Sequence, residues 1–402
     1  MGDKMPPDLP VEILIFIAQI IYLSDEGRKD SLLSRQKNMY NFCLVGRAWY
    51  SAGIEFLYRS PQLARGNNFG NFLSTVSPQS RAKKSNVDLG SLVKELLLQE
   101  LVHHSSPSQT ARLLKAASSS LVSFTAPRVS FAINSLAALS RCQNLLRLDL
   151  SLVMGSSVSF RKLKKTISGI KKLECLRLPT SMNLVHTDED QWPQSLIDLS
   201  VGGRVDYETM LDFCWPDNLE KLTLDHCVNL DLDTLGATLG NKRLSQVLRE
   251  LTIGPYNHGM WEIEVENEES DFPVVEAIES MEKLRHLKLP ADLALMLLDG
   301  IPRVQASPVQ VLEIAPAQSG YELDLDSGEI LPMIFLQALQ NQYSNVWCFK
   351  VCSEAGLFLN DDYRQKIDDE VWLHLPDNDD DPQLAEFESL HSFGLIILDE
   401  TN

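Results

Sequence analysis

The chain has 402 residues, 44% of them apolar and 23% charged, with a formal net charge of −19 from 36 basic and 55 acidic side chains. That composition suits a soluble protein with a large core, while an acidic surface of this size repels phosphate backbones and argues against nucleic acid as the main partner. Seven scattered cysteines with no C-x-x-C pair fit a reduced intracellular chain, and no stretch reaches the roughly 18 uninterrupted apolar residues of a membrane span.

Pro6-Pro7-Asp8-Leu9-Pro10 opens the chain, with Pro10 well placed at the first turn of a helix. The run Val11–Leu23 then sets Ile13, Leu14, Ile17 and Ile20/Ile21 at helical spacing. It contains Glu12 and Gln19 and lacks a basic leader and a small-residue cleavage site, so it does not read as a signal peptide. Ser24–Lys37 is polar and reads as a loop or a frayed helix start. A second helical stretch carries Met39, Tyr40, Phe42, Cys43 and Val45, Gly46 interrupts it, and a third carries Trp49, Ile54, Phe56 and Leu57 up to Ser60-Pro61. Residues 1–60 are thus expected to form a small all-α unit, followed by a connector over 61–90 with a short helix near Phe69–Val76.

From there a six-residue pattern, apolar-x-x-apolar-x-apolar, takes over. Val93-x-x-Leu96-x-Leu98 is the first copy. Others begin at Leu121, Leu145, Leu173, Leu196, Leu219, Leu248, Leu284 and Val309, with weaker copies at Val346 and Leu390. Between 93 and 248 the mean spacing is about 26 residues, a solenoid period in which each unit is a strand, a turn, a helical return and another turn. Later intervals lengthen to 36, 25, 37 and 44 residues, partly through acidic insertions at 262–271 and 377–381. Such charge runs read as solvated loops. Alternation along each strand turns the last two apolar positions of the hexad inward, so these leucines are core and not a ligand site.

Leu9-Pro10-x-Glu12-Ile13-Leu14-x-x-Ile17, followed by Leu44-Val45-Gly46-Arg47-Ala48-Trp49-Tyr50, resembles an F-box, and Phe56-Leu57-Tyr58-Arg59 resembles the extension of fungal members. The resemblance implies a compact helical trio that docks on the Skp-type adaptor of cullin-RING ubiquitin ligases. It assigns adaptor contact to Leu9, Pro10, Ile13, Leu14, Ile17, Val45, Arg47 and Trp49. Two departures stand out: Gly46 replaces the cysteine of the family's Val-Cys-Arg-x-Trp segment, and the stretch from Pro10 to Val45 is longer than usual. An F-box followed by leucine-rich repeats is an architecture of substrate receptors, so the expected fold is α/β: a leucine-rich-repeat solenoid of about eleven irregular repeats over 91–402, preceded by the helical domain. The rival expectation is a stand-alone leucine-rich scaffold or inhibitor whose first helices only cap the stack.

Outward strand positions then form the surface for a protein target. The central column is Leu97, Thr125, Asp149, Arg177, Ser200, Thr223, Thr252, Lys288, Glu313, Lys350 and Gly394; its neighbour includes Glu95, Arg147, Asp198, Lys221, Glu250 and His286. Mixed charge suits a protein epitope better than a single anionic ligand, and Arg147, Asp149, Arg177, Asp198, Lys221, Glu250 and Lys288 are the candidate target contacts.

Catalytic and cofactor motifs are missing from the sequence. There is no Walker loop, dinucleotide fingerprint, H-E-x-x-H or G-x-S-x-G. Gly236-x-x-x-Gly240-Asn241-Lys242 lacks the spacing and the following hydroxyl of a phosphate loop. Adjacent His103 and His104 diverge. Asp377-x-Asp379-x-Asp381 with Glu388 falls at calcium-loop spacing but carries Pro382 where the turn needs glycine. The basic run Arg161-Lys162-Leu163-Lys164-Lys165 reads as the solvated face of a repeat helix, the alternative being a nuclear-localisation patch formed with Lys171-Lys172. No cofactor, metal, nucleic acid or membrane is expected, and the compartment is cytoplasm or nucleus.

Overall fold

The computed structural model describes residues 9–24, 31–63, 67–78, 88–101, 106–129, 131–154, 158–187, 191–259, 273–298, 306–318, 330–353, 359–375, 384, 387–388 and 390–398. The acidic insertions at 262–271 and 377–381, His103-His104, and the Asp377–Asp381 part of the calcium-like spacing lie outside these residues. The chain divides into two units, Met1–Leu176 and Arg177–Asn402, so the limits expected at 60 and 90 both fall inside the first.

The first unit opens with helices α1 (Val11–Leu23), α2 (Ser31–Leu44) and α3 (Arg47–Arg59). Helix α2 starts earlier than the apolar periodicity indicated, because the polar stretch Ser34–Asn38 separates its beginning from the core residues Met39, Phe42 and Cys43. Leu14, Ala18 and Tyr22 of α1 meet those three and Ala52 of α3 in one core, flanked by Ile17, Ile21, Trp49, Phe56 and Leu57. Gly53 permits the close crossing of α2 and α3, since a Cβ there would stand 2.7 Å from Phe42 Cδ1 and 2.9 Å from Cys43 Sγ. The chain continues through α4 (Asn68–Val76), and the Lys94 amide donates to the Arg59 carbonyl at 2.9 Å, tying the end of α3 to the first strand.

Strands β1 (Glu95–Leu97), β2 (Ser123–Thr125) and β3 (Arg147–Asp149) follow, parallel and paired in chain order, with returns through α5 (Pro107–Ala117) and α6 (Ile133–Leu139). Helix α5 begins with Pro107 at its first turn and a capping box between Ser106 and Gln109. Helix α7 (Phe160–Ile167) carries the basic run. Its Lys164 is buried rather than solvated, alongside Phe160, Leu163 and Ile167. Strand β4 (Cys175–Arg177) lies at the division between the units.

In the second unit β5 (Asp198–Arg204), β6 (Lys221–Val228), β7 (Glu250–Ile253), β8 (His286–Pro290), β9 (Val311–Ala315), β10 (Cys348–Cys352) and β11 (Gly394–Leu398) pair parallel, again in chain order. Helical returns join them, including α8 (Tyr207–Leu211), α9 (Leu232–Leu239) and, before β11, a helix over Asp361–Leu373. Parallel strands need such crossovers. Between β4 and β5 the described residues hold no helix, and Pro179 and Pro193 sit in that stretch.

All three apolar positions are buried in the ten hexads from Val93 to Val351. At about 1.5–3 kcal/mol for each Leu-sized side chain, these positions dominate the packing. The eleventh differs. Register pairs Cys348 with Gly394 and Phe349 with Leu395, so the last strand runs two residues later than Leu390-x-x-Phe393-x-Leu395 implies. Ile396, not Gly394, therefore stands beside Lys350 in the central column, and Leu390 is exposed.

An asparagine just before the hexad recurs as a second repeat element. The Asn144 side-chain amide donates to the Ser119 carbonyl at 2.9 Å, Asn218 to Gln194 at 2.9 Å, and Asn345 to Ser307 at 2.7 Å. Each acceptor lies two residues before the preceding hexad, in a turn whose carbonyl has no strand partner.

Candidate functional site

Two surfaces carry functional potential. The first is the outer side of α1. A surface helix normally shows one apolar stripe and one polar face, but α1 is apolar nearly all round. Leu14, 1% exposed, together with Ala18 and Tyr22, faces the core. The opposite side carries Ile13, Phe16, Ile20 and Leu23 at spacings of three and four residues, and they are 45%, 60%, 50% and 47% exposed.

Of the predicted contact residues, Leu9, Pro10, Ile13, Val45 and Arg47 are exposed, Ile17 and Trp49 are half-buried, and Leu14 is interior. Trp49 packs on Phe42 with ring centroids 4.8 Å apart. Leu14 is thus a core residue of the trio and has no surface to offer. Phe16 and Leu23 were not singled out from the sequence, and Ile20 was read as part of the helical stripe without being assigned to adaptor contact, although the spacing of all three from Ile13 was visible there.

The second surface is the outward side of the sheet. In the first unit Glu95, Ser123 and Arg147 are register partners, as are Leu97, Thr125 and Asp149. Arg147 is exposed, while Asp149 Oδ1 accepts from the Ser151 amide at 2.9 Å and the Ser151 hydroxyl at 2.7 Å, which shapes the turn after β3.

In the second unit Asp198, Lys221, Glu250 and His286 are aligned in successive strands, as are Ser200, Thr223, Thr252, Lys288, Glu313 and Lys350. The alignment converts several predicted target contacts into cross-strand pairs. Lys221 Nζ meets Glu250 Oε1 at 2.5 Å, and Lys288 Nζ bonds to Glu313 Oε1. His286 Nε2 lies 3.7 Å from Glu313 Oε2. Burial alone would raise the Glu313 pKa; the His286 and Lys288 contacts and their charges outweigh it and hold the carboxyl at about 2. Arg177 and Asp198 keep outward positions, exposed and half-exposed respectively.

Toward β9–β11 the outward positions turn apolar. Val311, Trp347 and Cys348 are covered by Phe387, with Leu375, Leu384, Phe393 and Ile396 packed alongside. Trp347 and Phe387 meet edge-on at 5.2 Å, and Phe387 stacks on Phe393 at 5.3 Å.

Where the cover ends, a hollow of about 310 Å³ opens, lined by Arg249, Glu250, Arg285, His286, Gln310 and Val311 from the sheet and by Phe387, Leu390 and His391 above it. The His286 and His391 rings meet edge-on at 5.9 Å. Burial first, then the neighbouring His286 and Lys350 charges, push the His391 pKa below its usual value. All seven thiols are free; burial pushes Cys142 and Cys227 up to about 12. Among the described residues no group of three His, Cys, Asp or Glu side chains is placed to hold a metal, and no helix is long and apolar enough to cross a membrane.

No protein-family model matches the chain. It is 32% identical over 218 residues to F-box protein YDR306C of Saccharomyces cerevisiae, an alignment covering 52% of this chain and 44% of that protein. It is 26% identical over 191 residues to Protein pof5 of Schizosaccharomyces pombe, covering 48% of this chain and 52% of that one. The chain thus spans about half the length of the curated relatives it matches. Among solved structures, the yeast Rad7–Elc1 complex contains a chain 12% identical, with a TM-score of 0.36, covering 78% of this chain and 91% of that one. At that score the likeness carries no weight for this chain.

Proposed function

From a chain similar to F-box proteins in its opening motif and in its curated relatives, we propose that it is the substrate-recognition subunit of a Skp–cullin–F-box type ubiquitin ligase. In this reading the parallel sheet with its returns is a leucine-rich-repeat solenoid and α1–α3 form the F-box. The observation that carries the proposal is the second apolar stripe of α1. One stripe already supplies the core of the trio, so Ile13, Phe16, Ile20 and Leu23 are surplus to folding. Four apolar side chains at helical spacing on an accessible helix are what a groove on a partner takes up. Leu9, Pro10, Val45 and Arg47 are the further exposed residues that the F-box resemblance assigns to the same adaptor.

The mechanism is tethering without catalysis. The helices bind the adaptor and, through it, the cullin-RING core. The outward strand positions of each unit offer contacts to a protein target: Arg147 and Asp149 in the first, and Arg177, Asp198 and the paired Lys221, Glu250 and Lys288 in the second. The target's lysines then sit at high effective concentration near the charged conjugating enzyme. No residue of this chain acts on the transferred group, no cofactor is needed, and the work takes place in the cytoplasm or nucleus.

Co-expression with a Skp-type adaptor tests the reading. A stoichiometric complex that survives size-exclusion chromatography supports it; a chain that elutes alone, folded, overturns it in favour of a stand-alone scaffold.

A further inference from the structure

We propose that the hollow between the sheet and the Phe387–His391 segment binds a monoanionic carboxylate carried on an apolar body. Its donors form a column. The Arg285 amide donates to the Arg249 carbonyl at 2.7 Å and the Gln310 amide to the Arg285 carbonyl at 2.8 Å, so two guanidinium side chains and a carboxamide occupy the same place on three successive strands. Neighbouring strands lie about 4.8 Å apart, a spacing at which adjacent side chains converge on one small group.

Among the described residues these donors are at most loosely held by the protein's own acids. Glu250 is paired with Lys221, and Glu313 with Lys288 and His286. Arg249 approaches Glu220 only at 3.9 Å, and among the described residues Arg285 has no carboxylate within 4.0 Å. A planar carboxylate matches a guanidinium fork in two parallel hydrogen bonds.

Charge balance selects a single negative charge. Glu250 in the wall is balanced by Lys221, Arg249 is partly balanced by Glu220, and His391 is held toward its neutral form, so among the described lining residues Arg285 remains as the uncompensated cation, enough for one negative charge and too little for a phosphate dianion. Val311, Phe387 and Leu390 supply the apolar part of the lining, and about 310 Å³ admits a body the size of one large side chain. The chemistry is shared by two sources, the last residue of a polypeptide and a free aryl or alkyl carboxylate.

This deepens the target-binding reading of the sheet face, and it is measured on the chain alone, so adaptor docking can fail without touching it. The full chain is titrated calorimetrically with N-acetyl-leucyl-phenylalanine, with its C-terminal amide, with 3-phenylpropionate and with inorganic phosphate. Saturable binding of an acid is expected, with the amide at least about tenfold weaker and R285Q or R249Q each weakening the acid about tenfold. Both arginines are exposed, so these variants keep the fold, which circular dichroism checks. F387A weakens the acid through the apolar wall. Comparable binding of peptide and 3-phenylpropionate assigns the site to a free carboxylate; a clear preference for the peptide assigns it to a chain terminus. The inference is overturned if neither acid saturates at millimolar concentration, if acid and amide bind alike, if phosphate binds more tightly than both acids, or if R249Q and R285Q each bind the acid unchanged.

Discussion

Replacing Phe16 and Ile20 by aspartate separates docking from folding. These side chains are 60% and 50% exposed, so roughly half of each remains to be buried by a partner. Full burial of such a side chain contributes about 1.5–3 kcal/mol, which makes the remaining half about 1 kcal/mol each. The double variant therefore forfeits about 2 kcal/mol of adaptor affinity, and desolvating two carboxylates in an apolar groove adds further cost. A loss of at least about 30-fold follows. Exposed substitutions change stability by only about 0.5 kcal/mol. Leu14→Ala is the control, because its side chain is in the core and its truncation costs about 2–5 kcal/mol of fold stability. Isothermal titration with a purified Skp-type adaptor reads the affinity, and urea unfolding followed by near-ultraviolet circular dichroism reads the fold. Phe16→Asp/Ile20→Asp with unchanged affinity would refute the assignment of this stripe, and so would a large shift in its unfolding midpoint.

Glu313→Gln removes the negative charge shared by Lys288 and His286 and leaves a neutral amide in its place. Its folded pKa is about 2 against an ordinary 4.5, so the stabilisation it contributes is full above pH 4.5 and disappears as pH falls toward 2. The variant is expected to be less stable by about 1–3 kcal/mol at pH 7 and to converge on the parent between pH 4.5 and 2 in urea titrations; a constant gap would contradict it. Iodoacetamide at pH 8 is expected to label exposed Cys214 first and to leave Cys142 and Cys227 unmodified until unfolding, as mass spectrometry of digests would show. Gly394→Ala is expected to cost about 1–3 kcal/mol, because Gly394 has φ +84° and a Cβ would fall 2.7 Å from Asp368 Oδ1; hydrogen exchange should localise the loss to β11.

The strand positions were legible because each hexad has a fixed internal geometry that survives changes in spacing, and ten copies place their apolar residues as that geometry requires. The eleventh misled because Leu390, Phe393 and Leu395 match the pattern while the backbone at Gly394 enters the sheet two residues later. On α1 the helix itself was plain, but its orientation was not. A segment with apolar residues on every side gives periodicity nothing to choose between, so Leu14 and Phe16 could be told apart only by packing. The ion pairs were implicit, since aligned hexads set Lys221 opposite Glu250 and Lys288 opposite Glu313. The cover formed by Phe387 was not, because it depends on a contact between distant segments that carry no common pattern.

In three of the repeats the asparagine that precedes the hexad ties the repeat to the one before it at a point upstream of the strand, across separations of 25, 24 and 38 residues. The connection is indifferent to how much chain runs between its two ends. Whole stretches can therefore be spliced into the outer path while the ladder keeps its footing. Diversification in length is channelled away from the strands, so new loops can be tried without renegotiating the scaffold that displays them.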